Sequence, residues 1–274
     1  MQSISFDICT LTELHNRFKD SIINLYKPHR IVFHGLTIIT EGTGTHQVDF
    51  ATQKLSPGTI LPSRKGQVHS FEKASQVKGY VISFDENYIT NGMNEGNIFH
   101  FLQLYHTPQI HVGKENINAI IPYIDKLITL QSNPNDNLKS ELIQSLFISL
   151  LLEIKRMTIY QHKTYQSSRY KDFLKFQHLI ATHFTEIHSV HEYARLMNVS
   201  YKYINDLCKD LSKKTAKNFF NEWLLLEIKR KLTEDKFTSQ EIAYDTGFSD
   251  ASNFVRFFKK HEGTTPTKFL KTIL

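Results

Sequence analysis

The sequence predicts an α+β chain, with a β-barrel of short strands at the N-terminus and an all-α domain at the C-terminus. Three observations predict this class. Short β-branched and aromatic runs are punctuated by Gly and Pro, two helical stretches follow them, and a degenerate helical repeat lies near the C-terminus. With 274 residues there is room for two domains. We expect domains over residues 1–160 and 171–274, joined by a linker over 161–170.

The strand signal lies between residues 31 and 84. Gly42, Gly44, Pro57-Gly58, Pro62 and Gly66 separate short runs that suit pleated, half-buried strands. Many short strands with such turns favour a small barrel or jelly roll. The predicted strands are Ile31–Phe33, Leu36–Ile39, Thr45–Phe50, Thr59–Leu61 and Gly79–Phe84.

Two helices are predicted between the halves, over about 115–131 and about 138–157. In the second, Ile143, Phe147, Leu150 and Ile154 recur at spacings of four, three and four, an a/d seam. Because this helix is apolar on several sides, it must be buried. We expect one face to cover the barrel and these four residues to form a homodimer interface. Burial within one chain is the alternative.

The C-terminal repeat aligns His191–Ser200 with Gln240–Ser249. With one extra residue in the second copy, the alignment continues to Phe219 and Phe269. Each copy has a short helix, a turn, a capping residue and a second amphipathic helix, which is the layout of a helix-turn-helix. Two copies predict one chain reading two successive major grooves. A helix over 219–232 would hold the reading helices roughly 34 Å apart, one turn of DNA.

In each copy the second helix carries the residues predicted to contact DNA. Ser200 caps the first, where Asn205 is expected to read adenine and Lys209 to reach phosphate. Ser249 or Asp250 caps the second, where Arg256 is expected to read guanine or bind phosphate. The predicted DNA-binding residues are Tyr201, Lys202, Asn205, Lys209, Ala251, Ser252, Val255, Arg256 and Lys259.

Composition narrows the class of protein. Net charge is +6, and residues 171–274 hold 17 Lys and Arg against 13 Asp and Glu, a mild excess where DNA would bind. Cys9 and Cys208 form neither a metal cluster nor a disulfide framework. No signal peptide or membrane-spanning run is found, so we expect a cytoplasmic protein with no membrane partner. We also expect no cofactor.

The second copy resembles a known family. The stretch Glu241–Lys260, followed by Gly263-Thr264-Thr265-Pro266, is similar to the C-terminal signature of AraC-type (AraC/XylS) transcription regulators, over roughly residues 170–274. The resemblance implies a sequence-specific DNA-binding transcription regulator, commonly an activator. Its partners would be double-stranded promoter DNA and RNA polymerase.

The first copy departs from the family pattern at three positions. Asp206 stands where the second copy has Arg256, Lys213 where it has Gly263, and Ala216 where it has Pro266. An acid repels phosphate unless it accepts from cytosine, and a Lys in place of Gly implies strain or a different turn.

The N-terminal half resembles the cupin-like sensor domain of the same family. The resemblance rests on Glu41–His46, Leu55–Thr59 and Gly66–Phe71. It implies a small-molecule effector held inside the barrel, whose binding, or dimerisation alone, controls the regulator. Arg30 would clamp a carboxylate or phosphate, the alternative being a surface salt bridge. The predicted effector-binding residues are Arg30, Phe33, His34, His46 and His69.

Two alternatives stay open at this point. One is a cupin-type, metal-dependent enzyme with an accessory DNA-binding tail. His69 stands where such enzymes have their last His, but no His-x-His pair precedes it, and an open catalytic site needs three ligands. The other is a non-specific, architectural DNA-binding protein.

Overall fold

In the computed structural model, the described residues are 5–19, 24–73, 75–85, 88, 109–133, 137–158, 168–234 and 237–273. The chain forms two compact units, Met1–Lys163 and Thr164–Leu274, each considered by itself. Of the predicted linker, residues 161–167 lie outside the described residues, whereas 168–170 begin a helix in which Tyr170 is buried. Among the described helices, none has the length and apolarity to cross a membrane.

The N-terminal unit is rich in antiparallel strands. They are β1 (Phe6–Thr10), β2 (His29–Arg30), β3 (His34–Val48), β4 (Ala51–Leu55), β5 (Thr59–Ser63), β6 (Val68–Phe71), β7 (Gln76–Phe84) and β8 (Ile110–His111). Helix α1 (Leu11–Phe18) follows β1 and begins with a capping box between Thr10 and Glu13. Of these elements β1, β2, β4, β6, β8 and α1 were not predicted, and Ile31–Phe33 is not a strand.

The long strand β3 belongs to two sheets. Its first part pairs with β5 and β7, and its last part pairs with β4 and β6. The register shifts between Ile39 and Glu41, as expected where a strand bends from one sheet into the other. Strands β1 and β8 extend the first sheet, and β2 extends the second.

Residues of the first sheet alternate between two cores, because successive strand side chains point to opposite faces. One set packs under two helices and comprises Leu36, Ile38, Ile60, Ile82 and Phe84. The other set faces α1 and the second sheet and comprises Ile39, Leu61 and Val81. The sheet therefore has a helix-covered outer face and an inner face.

Helices α2 (Lys114–Ser132) and α3 (Lys139–Thr158) cover the outer face, close to their predicted bounds. The predicted dimer seam lies in this core: Ile143 is 3% exposed, and Phe147, Leu150 and Ile154 are fully buried against α2 and the sheet. The prediction that these four residues meet a second subunit is wrong. Their spacing marked the seam correctly, but its partner is the chain itself.

The C-terminal unit is all helical in its described part. Its helices are α4 (Ser168–His183), α5 (Val190–Leu196), α6 (Tyr201–Ser212), α7 (Ala216–Leu232), α8 (Ser239–Asp245), α9 (Ala251–Glu262) and α10 (Pro266–Ile273). Residue numbers differ by 49 between α5 (190) and α8 (239) and by 50 between α6 (201) and α9 (251). The predicted extra residue in the second turn is confirmed, as is the α+β fold class.

Candidate DNA interface and ligand cavity

A cavity of about 500 Å³ lies against the inner face of the N-terminal unit. Both sheets line it: Thr37, Ser63 and Val81 come from the first, and His46 and His69 from the second. Its wall is mostly apolar and carries a few polar groups, which is typical of small-molecule sites. The apolar side chains on the wall include Leu14, Phe18, Leu25, Ile31, Phe33 and Phe71.

Two buried histidines contact each other in this wall. His46 Nε2 lies 2.8 Å from His69 Nδ1, so one ring donates to the other. Burial, with a smaller contribution from His69 and His29, holds the pKa of His46 well below its ordinary value. Burial also lowers the pKa of His29, which pairs with His69 across β2 and β6. His46 is therefore neutral at pH 7, and its Nδ1 has no hydrogen-bond partner among the described residues.

Four of the five predicted effector residues line the cavity: Arg30, Phe33, His46 and His69. His34 does not. It precedes Gly35 on β3, so its ring faces the opposite side and stacks on Phe84 at 6.1 Å. The prediction for His34 is corrected on this ground. His29, Thr37 and Ser63 also line the cavity and were missed, because only the strand register reveals which side they face.

The cavity histidines do not assemble a metal site. Among the described residues, no group of three His, Cys, Asp or Glu side chains is arranged to hold a metal ion. His46 already directs its Nε2 at His69, which leaves this pair bound to each other.

In the first helix-turn-helix, α6 begins at the Ser200 cap, whose side chain accepts from the Tyr203 N–H. Ile204, Leu207 and Cys208 are fully buried, and burial raises the pKa of the Cys208 thiol to about 12. Lys202 and Lys209 are exposed on the other side. The Tyr201 ring stacks on His191 with centroids 4.3 Å apart.

The side chain of Asn205 has a structural role. Its Oδ1 accepts from the Ala216 N–H at 3.1 Å and satisfies a backbone donor at the start of α7. Pairing with adenine needs both the oxygen and the nitrogen of the amide, so this bond competes with the predicted base contact of Asn205. The second copy has Val255 and Pro266 at these positions. Because Pro has no N–H, no acceptor is needed there.

In the second helix-turn-helix, Asp250 rather than Ser249 caps α9, accepting from the Asn253 N–H at 2.7 Å. Phe254 and Phe258 are fully buried. The predicted contact residues lie on the remaining surface: Ser252, Arg256 and Lys259 are exposed, and Ala251 and Val255 are partly exposed.

Both reading helices end in a left-handed residue, Lys213 at φ 60° and Gly263 at φ 80°. The turn is therefore the same in both copies, and the Lys makes it with strain. Both helix-turn-helix turns also contain a left-handed residue, Asn198 in the first and Gly247 in the second.

Helix α7 and the turn residues tie the two copies together. At one end of α7 the Ala216 N–H bonds to α6, and near the other Lys229 Nζ lies 3.0 Å from Glu262 of α9. His188 Nε2 lies 3.0 Å from the Thr246 carbonyl oxygen, joining the start of one copy to the turn of the other. With 17 residues, α7 is about 25 Å long. The predicted 34 Å spacing of the reading helices stays a prediction.

Comparison with known proteins finds matches for both halves of the chain. A model of the AraC-like ligand binding domain matches residues 20–151, and a model of a helix-turn-helix domain matches residues 193–272. The HTH-type transcriptional activator RhaS of Salmonella schwarzengrund (strain CVM19633) is 21% identical over 252 residues, covering 88% of this chain and 86% of that protein. RhaS of Salmonella newport (strain SL254) gives the same identity and coverage. Among solved structures, ToxT from Vibrio cholerae has 12% identity and a TM-score of 0.49, covering 98% of this chain and 99% of that one.

Proposed function

The chain belongs to the AraC family of transcription regulators, and we propose that it activates transcription by binding promoter DNA under the control of a small effector or of dimerisation. The observation that carries the proposal is the pair of capped helices α6 and α9, each exposing cations opposite a buried core. Because α7 fixes one relative to the other, the chain is suited to reading two successive major grooves.

Arg256 is the residue we expect to contribute most to sequence recognition. It is exposed on α9, two residues from each of the buried Phe254 and Phe258. With 100° between successive residues, Arg256 lies about 180° from the mean direction of those two rings. An Arg presented this way can donate two hydrogen bonds to guanine, a contact of about 1–3 kcal/mol in discrimination.

For the effector, the cavity supports a small molecule with an apolar body and a hydrogen-bonding or anionic group. Phe33 and its apolar neighbours would enclose the body, while His46, His69 and Arg30 supply the polar contacts. The binding of such a molecule controls the protein only if it favours one conformation over another.

Because the seam of α3 is buried, we propose that a homodimer forms through the exposed side of this helix. Leu142 and Leu152 are 41% and 40% exposed, and Ser145 and Ser149 lie between them at helical spacing. The double variant Leu142→Asp, Leu152→Asp is expected to convert a dimer to a monomer in analytical ultracentrifugation, because it places two negative charges on each side of the interface. Ala119→Asp, at an exposed position on α2, is the matched control.

Control of RNA polymerase and the absence of catalysis are part of the same proposal. Run-off transcription with purified polymerase, with and without the protein, tests activation. Metal analysis of the purified protein tests the enzyme alternative, because a stoichiometric transition metal on His46 and His69 would support a cupin-type catalyst.

The experiment that tests the proposed function is binding to the DNA upstream of the protein's own gene, by footprinting and titration at several salt concentrations. We expect a discrete protected site, and Arg256→Ala should weaken it or make it less selective. Lys175→Ala removes one exposed positive charge from α4 and is the matched control. Weak binding that is uniform along the DNA, and equally affected by both substitutions, contradicts the proposal.

A further inference from the structure

The two reading helices present unlike charges to the groove. Their structural equivalence pairs residues 50 positions apart, since α6 and α9 start at 201 and 251. The pairs on the side away from the core are Lys202 with Ser252, Asp206 with Arg256, Lys209 with Lys259 and Asp210 with Lys260. At these four positions α9 carries three cations and no acid, whereas α6 carries two of each.

Asp206 occupies the centre of the α6 surface. It lies midway between the buried Ile204 and Cys208, and at 100° per residue it points about 180° from their mean direction. Asp210, by contrast, is held by Arg169 of α4. Within the part of the chain that the structure describes, the Asp206 carboxylate has no hydrogen bond or ion pair.

A free carboxylate in this position needs a donor from the DNA. In the major groove it meets phosphate charge and loses water, both unfavourable unless a base donates to it. Guanine and thymine offer only acceptors there. Adenine offers a donor beside the N7 acceptor, and cytosine offers its N4 amino group without that neighbour. Cytosine is therefore the base whose hydrogen bond best offsets the cost of placing this carboxylate in the groove.

We propose that Asp206 determines specificity in the half-site read by α6, where it selects cytosine through the N4 amino group. Lys202 and Lys209, four residues before it and three after, lie on the same side of α6 and reach the phosphates on either side. This inference rests on the proposed function, because it assumes that α6 enters a major groove.

The test is titration of the full-length protein against the footprinted site and against every single-base replacement in the α6 half-site. Wild type should prefer cytosine at one position by roughly 5- to 100-fold. Asp206→Asn should move the preference at that position to adenine, which an amide can pair with twice. Asp206→Ala should abolish the preference at that position while leaving discrimination in the α9 half-site intact.

The control is Glu192→Gln, which removes an exposed acid from α5 and should tighten binding to every sequence by the same factor. The inference is overturned if the Asp206 variants change the affinity for all four bases at that position by the same factor, because the acid then acts only by repelling the DNA. If Arg256→Ala still weakens the site in that experiment, the proposed function stands and only the role of Asp206 fails. Absence of a discrete site overturns both. Unfolding followed by Trp223 fluorescence verifies that each variant is folded.

Discussion

Exchanging Asn205 and Ala216 for the residues of the other copy tests whether Asn205 is structural. Asn205→Val leaves the Ala216 N–H without its acceptor, and Ala216 is fully buried. Losing such a cap should lower the free energy of unfolding by about 1–2 kcal/mol. Ala216→Pro removes the donor itself at the first helical position, which Pro tolerates after the extended Thr215. The double variant should therefore regain most of the loss.

Urea and thermal unfolding of the full chain provide the assay. The single tryptophan, Trp223, lies on α7 with its ring 5.0 Å from Phe184, so its fluorescence reports the C-terminal unit alone. Asn205→Val should lower Tm by about 4–8 °C, and the coupling energy between the two substitutions should be about 1–2 kcal/mol.

Two results would refute this reasoning. A double variant as unstable as Asn205→Val alone would show that the Ala216 N–H is not what Asn205 satisfies. A stable double variant that has lost discrimination at an A·T pair would show that Asn205 reads adenine after all.

The remaining predictions concern backbone strain and pH. Gly247→Ala should lower the stability of the C-terminal unit by about 3 kcal/mol, because residue 247 is at positive φ and its new Cβ would lie 2.4 Å from the Thr185 carbonyl oxygen. Gly263→Ala, also at positive φ but with open space around its Cβ, should cost only about 1 kcal/mol in the same Trp223 assay. Lys213→Gly, at φ 60°, should raise stability by up to about 1 kcal/mol, and no gain would mean that the turn is unstrained. The pKa of His46 is lower in the folded state than in the unfolded chain, so the N-terminal unit should lose stability as pH falls below about 6.5. Unfolding of that unit followed by circular dichroism at several pH values measures this loss. His46→Gln should flatten that dependence without moving the Trp223 transition, and an unchanged slope would rule out His46 as its source.

Local signals made the C-terminal unit predictable from sequence. The caps of α6 and α9, and the apolar spacing that follows them, lie within a few residues of each other. The hydrogen bond of Asn205 was not predicted because the N–H that it satisfies is 11 residues away, across a turn. A side chain on the polar flank of a helix gives no sign of whether it faces DNA or the next helix.

The N-terminal unit was less predictable because its contacts are far apart in sequence. His46 and His69 meet across strands 23 residues apart, and His34 is excluded from the cavity only by the register of β3. The seam of α3 showed that one side of the helix is apolar without showing what covers it. Only α2 and the sheet, once in place, assign that side to the chain's own core.

If α6 and α9 enter successive grooves as proposed, their unlike surfaces give the DNA site a direction. A symmetric dimer of single readers binds a palindrome and fits it equally well after a half-turn. One chain that carries two different readers has no such axis, so reversing the site places the acid of α6 where Arg256 should be. Under the proposed function, each chain would therefore lie on its site in one orientation. For a given site, the same surface of the protein would then always face the same flank of the DNA.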